Sequence, residues 1–239
     1  MAERKRKLRP IERVLSNISN GCRSFPVPKS FNTEERHFTM TNVSIEHSNR
    51  WRILDIVIAA IIAVASGVLF WAWDIVCAAP TNLFASLLPG AEGLSNGFWL
   101  FAGPLAAIIV RKPGAALFAE TLGAFVELML GNQWGVGGSL IVGIIQGIGA
   151  ELAFILFMYK SWNLLSTVIS GSLAGVACFI YNWTSGGQGW NTQYIVANLI
   201  TSIISGFIVA GVVVWLVQKA LAATGVLDRF ESGRPQALV

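Results

Sequence analysis

Four acidic side chains lie within or at the edges of long apolar segments of this sequence: Asp74, Glu120, Glu127 and Glu151. The apolar segments that contain them hold no Lys or Arg to pair with these acids. Because an ionisable group in a bilayer is costly, each of these positions is a candidate functional site. Glu120 and Glu127 are seven residues apart, a spacing that places both carboxyl groups on one face of a helix.

Amide and aromatic side chains accompany these acids. A carboxylate offsets positive charge, an amide hydrogen-bonds to the edge of a heteroaromatic ring, and an indole stacks on the face of the ring. The combination predicts a pocket for a small cationic ligand that contains a ring. The amides and rings concerned are Gln146, Asn182, Asn191, Gln193, Asn198, Trp73, Trp134, Tyr181 and Trp183.

Structural roles are the alternative for several of these residues. Glu120 or Glu151 could be protonated and hydrogen-bonded between helices, and Asp74 could be a solvated cap at a helix end. Most of the tryptophans also fit an aromatic belt at the membrane surface. The sequence leaves both kinds of role open for these positions.

The composition is that of a membrane protein. Hydrophobic residues make up 54% of the 239 residues and charged residues only 13%, about half the charged share of a globular chain. We therefore predict an all-α polytopic membrane protein. The only histidines, His37 and His47, precede the apolar region, and no GxxxxGK[ST] motif occurs. These absences exclude a zinc-protease helix, a Ser/His pair within the membrane and ATP hydrolysis through a P-loop.

Neither a metal site nor a catalytic site is predicted from the remaining residue types. Cys22, Cys77 and Cys178 show no metal-binding spacing. No nucleophile motif accompanies the membrane acids, so an intramembrane enzyme is the weakest class.

Six apolar segments predict a bundle of six transmembrane helices. The second segment has a clear core of only 13 residues. Residues 80–96, which precede that core, contain several Pro and Gly residues and predict an interfacial or re-entrant piece. The six predicted spans are 53–79, 98–110, 114–130, 136–159, 163–183 and 192–222.

The basic residues predict how the bundle is oriented. With six spans, residues 80–96, 131–136 and 184–191 fall on one side of the membrane and contain no Lys or Arg. All 17 basic residues then fall on the other side. The positive-inside rule places both termini in the cytoplasm, as in a multi-pass protein of the bacterial plasma membrane.

Three regions are predicted along the chain. Residues 1–49 form a basic, polar extension that we expect to be disordered, and Met40 is an alternative start. Residues 50–228 form the membrane domain, and residues 229–239 form a cytoplasmic tail.

Small residues four positions apart recur in the predicted helices and allow close helix packing in lipid. Ala59 and Ala63 form such a pair on a helix with few other polar features. We predict that this pair faces another subunit, with internal packing as the alternative.

A series of motifs runs through the apolar region in a fixed order. FWLFAGPLAA begins at Phe98, RKPGAA at Arg111, ELMLGN at Glu127 and QGIGAE at Gln146. Together they resemble the YkoE group, substrate-binding S components of energy-coupling factor (ECF) vitamin transporters. The resemblance covers about residues 50–228. It implies a non-enzymatic six-helix subunit that captures thiamine or its hydroxymethylpyrimidine precursor, with no cofactor of its own.

The resemblance also implies two protein partners, a transmembrane coupling subunit and an ATPase subunit. The bilayer and a small cationic vitamin complete the expected partners, and no nucleic acid is expected. A self-sufficient secondary carrier or cation channel that uses the membrane carboxylates is the alternative function. The predicted substrate-binding residues are Trp73, Glu120, Glu127, Asn132, Trp134, Gln146, Glu151, Tyr181, Asn182 and Asn198.

Overall fold

Residues 50–228, 230, 232 and 233 are described by the structure, a computed structural model. They belong to one compact unit, His47–Val239. The predictions made for residues 1–49, including a start at Met40, lie outside the described residues. Most of the tail predicted at 229–239 does so as well.

The described part of the chain is built from helices, and the predicted all-α class is confirmed. The long apolar segments of the sequence each form a helix, and Gly- or Asn-containing turns separate them. The elements are α1 (Ile53–Val76), α2 (Ala78–Leu87), a 3-10 helix (Ala91–Trp99), α3 (Ala102–Val110), α4 (Ala115–Leu130), α5 (Gly135–Leu156), α6 (Leu164–Gly186), a 3-10 turn (Gly187–Gly189), α7 (Thr192–Ser205), a π-helical stretch (Gly206–Val213) and α8 (Val214–Ala223).

Four helical stretches are long and apolar enough to cross a membrane: Ile53–Val76, Gly135–Leu156, Leu164–Gly189 and Thr192–Ala223. The 3-10 helix and α3 meet at a bend of 42° and would supply a fifth span if they cross together. The helix α4 has 16 residues, equivalent to a length of roughly 24 Å. The described residues thus provide four to five candidate spans, all helical.

The second predicted span is the one that the structure divides. Its first two residues, 98 and 99, end the 3-10 helix, and residues 102–110 form α3. Polar contacts hold the 3-10 helix against α7. Asn96 Nδ2 donates to Ser202 Oγ at 3.0 Å, and the Gly97 amide donates to Ser205 Oγ at 2.8 Å. A Cβ atom at Gly97 would overlap the Ser205 backbone, so glycine permits this close approach. The segment therefore lies folded onto the bundle.

Close helix contacts occur where the small residues predicted them. A Cβ atom at Gly171 of α6 would lie 2.3 Å from the Gly206 carbonyl oxygen. Likewise, a Cβ atom at Gly143 of α5 would meet the Ala124 side chain of α4. The backbones approach too closely for any larger residue, which is how helices gain packing energy in lipid.

Ala59 and Ala63 do not form an exposed face, and the prediction of a subunit interface there is wrong for this chain. Both residues are completely buried within it. Ala63 clusters with Ala106 of α3 and Ala119 of α4, so α1 uses its small residues to pack against its own bundle. The small-residue spacing correctly indicates a close helix contact but belongs to an internal one.

The chain beyond α8 folds back beneath α3. Leu227 and Phe230 are buried in the main core cluster. The Ser232 hydroxyl donates to the Ile109 carbonyl at the end of α3, and Gln218 Nε2 donates to the Ser232 carbonyl. The packed region therefore extends past the predicted boundary at residue 228.

Candidate functional site

A cavity of about 680 Å³ opens at one end of the helix bundle. It lies among the ends of α1, α4, α5, α6 and α7, with α2 and the 3-10 helix beside them. This is the end that carries residues 131–136 and 184–191, the segments without Lys or Arg. Small-molecule sites typically occupy roughly 300–1,000 Å³. The cavity is the candidate binding site.

Six of the ten predicted binding residues line this cavity. They come from four different helices and their connecting turns, so the fold brings together positions that are as many as 71 residues apart, from 127 to 198. The six are Glu127, Trp134, Gln146, Tyr181, Asn182 and Asn198.

Asn132 stands behind the cavity wall and positions Glu127. Its side-chain amide donates to Glu127 Oε1 at 3.1 Å and also to Ser139 Oγ. Its side-chain oxygen, Oδ1, accepts from the backbone amides of Trp134 and Gly135 at the start of α5. Asn132 therefore ties the end of α4 to the start of α5 and fixes a carboxyl group that faces the cavity.

Glu120 does not line the cavity, and its predicted contact with substrate is replaced by a contact between helices. The side chain is 1% exposed. Its Oε2 accepts from the Gly103 amide in the first turn of α3 at 2.5 Å. Since the first amides of a helix have no partner within the helix, Glu120 supplies one from a neighbouring helix. A Cβ atom at Gly103 would lie 3.0 Å from this oxygen, so glycine leaves room for the carboxyl group.

Glu151 has the same role at the opposite end of the bundle, so its predicted place in the binding site is corrected. Its Oε2 accepts from the amides of Ala116 and Leu117 in the first turn of α4. Its Oε1 accepts from the Gly114 amide at 2.6 Å and from the Tyr159 hydroxyl at 2.8 Å. With four donors on one carboxyl group, Glu151 caps the N-terminus of α4.

Trp73 also stands outside the cavity lining. Its ring stacks on Phe98 with the centroids 4.1 Å apart and meets Trp99 edge-on at 6.1 Å. Trp73 therefore belongs to an aromatic cluster behind the cavity wall. In place of the predicted direct contact with substrate, it packs against Trp99, which does line the cavity.

The structure adds lining residues that the sequence analysis did not identify. Glu92 is the most informative, because it is a second carboxyl group at the cavity. Its Oε2 accepts from the Gly90 amide at 2.9 Å, and its Oε1 accepts from the Tyr194 hydroxyl. The sequence offered one signal for this residue, since Glu92 is the only acid in the Pro- and Gly-rich segment 80–96. Other polar and aromatic lining residues include Thr81, Asn96, Trp99, Ser139, Trp190 and Tyr194.

The lining has a consistent chemistry. It includes two carboxyl groups, Glu92 and Glu127, several amides and hydroxyls, and six aromatic rings, whereas none of the residues around it is Lys, Arg or His. Asn198 is 4% exposed, and its side-chain oxygen has no hydrogen-bond partner among the described residues. A ligand that fits would carry positive charge, a ring and a hydrogen-bond donor.

Three comparisons place the chain among known proteins. A family model for "ABC-type cobalt transport system, permease component" matches residues 54–177, just over half of the chain. "Putative HMP/thiamine permease protein YkoE" of Bacillus subtilis (strain 168) is 33% identical over 190 residues, which cover 77% of this chain and 91% of that protein. A solved structure described as "Crystal structure of an S-component of ECF transporter" matches with a TM-score of 0.70 at 33% identity, covering 77% of this chain and 92% of that one.

A helical membrane domain with a polar, aromatic cavity at one end defines a substrate-binding transport subunit. The chain belongs to the S components of energy-coupling factor transporters, within the family of ABC-type permease components that the model describes. The resemblance to this family is thereby confirmed. As an S component, the chain is a non-enzymatic membrane subunit that works within an ECF complex.

Proposed function

We propose that this S component captures thiamine or its hydroxymethylpyrimidine precursor at the outer face of the cell membrane for ATP-driven uptake. The observation that carries the proposal is the cavity itself, which combines Glu92 and Glu127 with aromatic rings and has no basic side chain around it. A relative of 33% identity is named for these two ligands, which supports the same conclusion.

The chemistry of thiamine matches this lining group by group. Its thiazolium ring carries a permanent positive charge, which a carboxylate such as Glu127 offsets and an aromatic face attracts. Its aminopyrimidine ring carries an amino group that can donate to the unpaired oxygen of Asn198. The hydroxymethylpyrimidine precursor shares the second feature and lacks the charge.

The proposal can be tested by calorimetry on the purified protein in detergent. Thiamine or hydroxymethylpyrimidine should bind, and thiamine monophosphate should bind at least about tenfold more weakly, because its anionic group would face two carboxyl groups with no basic partner. Co²⁺ is the comparison ligand, since the matching family model names cobalt. The described residues contain no group of three or more His, Cys, Asp and Glu that could hold a metal ion. Binding of Co²⁺ without binding of either organic ligand would overturn the proposal.

We infer that the partners of this subunit are a transmembrane coupling subunit and a separate ATPase subunit. Accumulating a vitamin against its gradient requires energy, and the sequence has no P-loop to obtain it from ATP. We propose a basic extension at residues 1–49 and a membrane domain that begins at residue 50, with a packed region that reaches Ser232.

For the topology, we propose six membrane spans with both termini in the cytoplasm. The five candidate spans of the structure and the 16-residue helix α4 make up the six. A span of about 24 Å is short for a bilayer core of about 30 Å, and snorkelling residues or local thinning accommodate such a mismatch. The absence of Lys and Arg from residues 80–96, 131–136 and 184–191 supports the orientation.

Cysteine labelling tests this topology. In a background free of Cys22, Cys77 and Cys178, the exposed position Gln188 replaced by cysteine should react with an impermeant reagent from outside the cell. Lys160→Cys, also at an exposed position, should react only after permeabilisation. The reverse pattern would contradict the orientation and would place the cavity on the cytoplasmic side.

A further inference from the structure

One carboxyl group near the cavity binds two tryptophan side chains at once. Asp74 lies in the last turn of α1, and its Oδ1 accepts from Trp99 Nε1 at 3.1 Å and from Trp134 Nε1 at 3.0 Å. The two indoles come from separate parts of the chain, one from the end of the 3-10 helix and the other from the turn before α5. Asp74 therefore joins three elements at a single atom.

Both indoles line the cavity, whereas Asp74 does not. The rings meet edge to face, with their centroids 6.2 Å apart and an angle of 85° between their planes. Trp134 is 51% exposed, so packing alone holds it weakly. The shared hydrogen bonds to Asp74 therefore determine how these two rings face the cavity.

A capping role does not explain an acid at this position. The C-terminal end of a helix carries partial negative charge, which disfavours a carboxylate in the last turn. Helix α1 has no basic residue in its last turn to compensate. The two indole donors supply the favourable interactions that the helix end does not, which points to a role in arranging them.

We propose that Asp74 is a positioning residue of the binding site, which holds Trp99 and Trp134 as a preformed aromatic wall for the ring of the ligand. This inference rests on the proposed function, because it requires a ring-containing ligand in the cavity. Holding the two indoles before the ligand arrives lowers the entropy lost on binding. Asp74 acts on the ligand through these two rings and does not line the cavity. Its side chain also interacts with the carboxyl group of Glu127, and a double-mutant cycle separates that interaction from the effect of the rings.

A set of single substitutions separates this role from others. Asp74→Ala removes the acceptor, and we expect thiamine or hydroxymethylpyrimidine to bind about tenfold more weakly by calorimetry. Asp74→Asn keeps one oxygen that can accept from both indoles, so binding should stay within about threefold of the wild type. Trp215→Phe is the matched control. Trp215 lies in α8, its ring contacts Lys219, and it does not line the cavity, so its substitution should leave affinity unchanged.

A double-mutant cycle shows whether Asp74 acts through the indoles. The pair Trp99→Phe and Trp134→Phe keeps an aromatic ring at each position, although a smaller one, and removes both N–H donors. In that background Asp74→Ala should cause little further loss of affinity. With both tryptophans present, near-ultraviolet circular dichroism should show the indole signals altered in Asp74→Ala but not in Asp74→Asn. Full, additive losses from Asp74→Ala in both backgrounds would overturn the inference.

Other outcomes remain decisive if Asp74→Ala fails to fold. The Trp99→Phe and Trp134→Phe double variant leaves α1 untouched and should by itself reproduce the tenfold loss, and wild-type affinity in that variant would overturn the inference. Wild-type protein that binds neither organic ligand would instead overturn the proposed function. Wild-type binding that Asp74→Ala leaves unchanged would overturn only the positioning role.

Discussion

Replacing Glu127 with glutamine is expected to weaken thiamine binding by about 10- to 100-fold, or about 1.4–2.8 kcal/mol, with a much smaller effect on hydroxymethylpyrimidine. Glu127 is 4% exposed and its carboxyl group lines the cavity. A bound thiazolium would be paired with this group in a site with little water, where losing one member of a charge pair costs several kcal/mol. Glutamine keeps the size and one acceptor oxygen but removes the charge.

The uncharged pyrimidine precursor provides the internal comparison. It can lose at most a hydrogen bond to Glu127, which typically contributes about 1 kcal/mol. Titrating both ligands into wild type and Glu127→Gln by calorimetry gives the two ratios directly. Asn198→Asp is the converse variant, because it adds an acid at a lining position where the present side-chain oxygen is unpaired. It should favour the charged ligand, thiamine, over the uncharged precursor. Equal losses of both ligands from Glu127→Gln would remove the assignment of this carboxyl group to the thiazolium.

The helices could be predicted because the length of an apolar run is read from one segment of the sequence and does not depend on contacts with other segments. The structure forms a helix in every predicted span, and the six predicted lining residues lie together because helix ends on one side of a bundle meet. The Pro and Gly residues of segment 80–96 predicted an interfacial or re-entrant piece, and in the structure the segment is divided between α2 and the 3-10 helix. Its placement could not be predicted, because it depends on pairs such as Asn96 with Ser202, more than 100 residues away.

The two acids that lie away from the cavity, Glu120 and Glu151, do so for one physical cause. An acid in an apolar segment indicates a buried polar interaction, but the sequence does not show whether the partner is a ligand or a helix end. Glu120 and Glu151 both have helix N-termini as partners. The same ambiguity applies to Ala59 and Ala63, whose spacing indicates a close helix contact without identifying the helix.

The capping role of Glu120 predicts a loss of stability when the carboxyl group is removed. Helix α3 begins at Ala102 in the interior of the bundle, where no water replaces a missing acceptor for its first amides. Glu120→Ala would leave the Gly103 amide unpaired, at about 1–3 kcal/mol, and would leave a small void as well. Glu120→Gln keeps an acceptor oxygen at the same distance, so the loss should be about 1 kcal/mol.

Thermal unfolding of the purified protein in detergent would show this difference. The melting temperature should fall in the order wild type, Glu120→Gln, Glu120→Ala, and Glu151→Ala should fall at least as far because four donors lose their acceptor. Thiamine and hydroxymethylpyrimidine should bind the folded Glu120→Gln protein with nearly equal changes in affinity, since this side chain does not reach the cavity. An unchanged melting temperature together with a selective loss of thiamine would show that Glu120 contacts the ligand, because a cap cannot distinguish a charged vitamin from its neutral precursor.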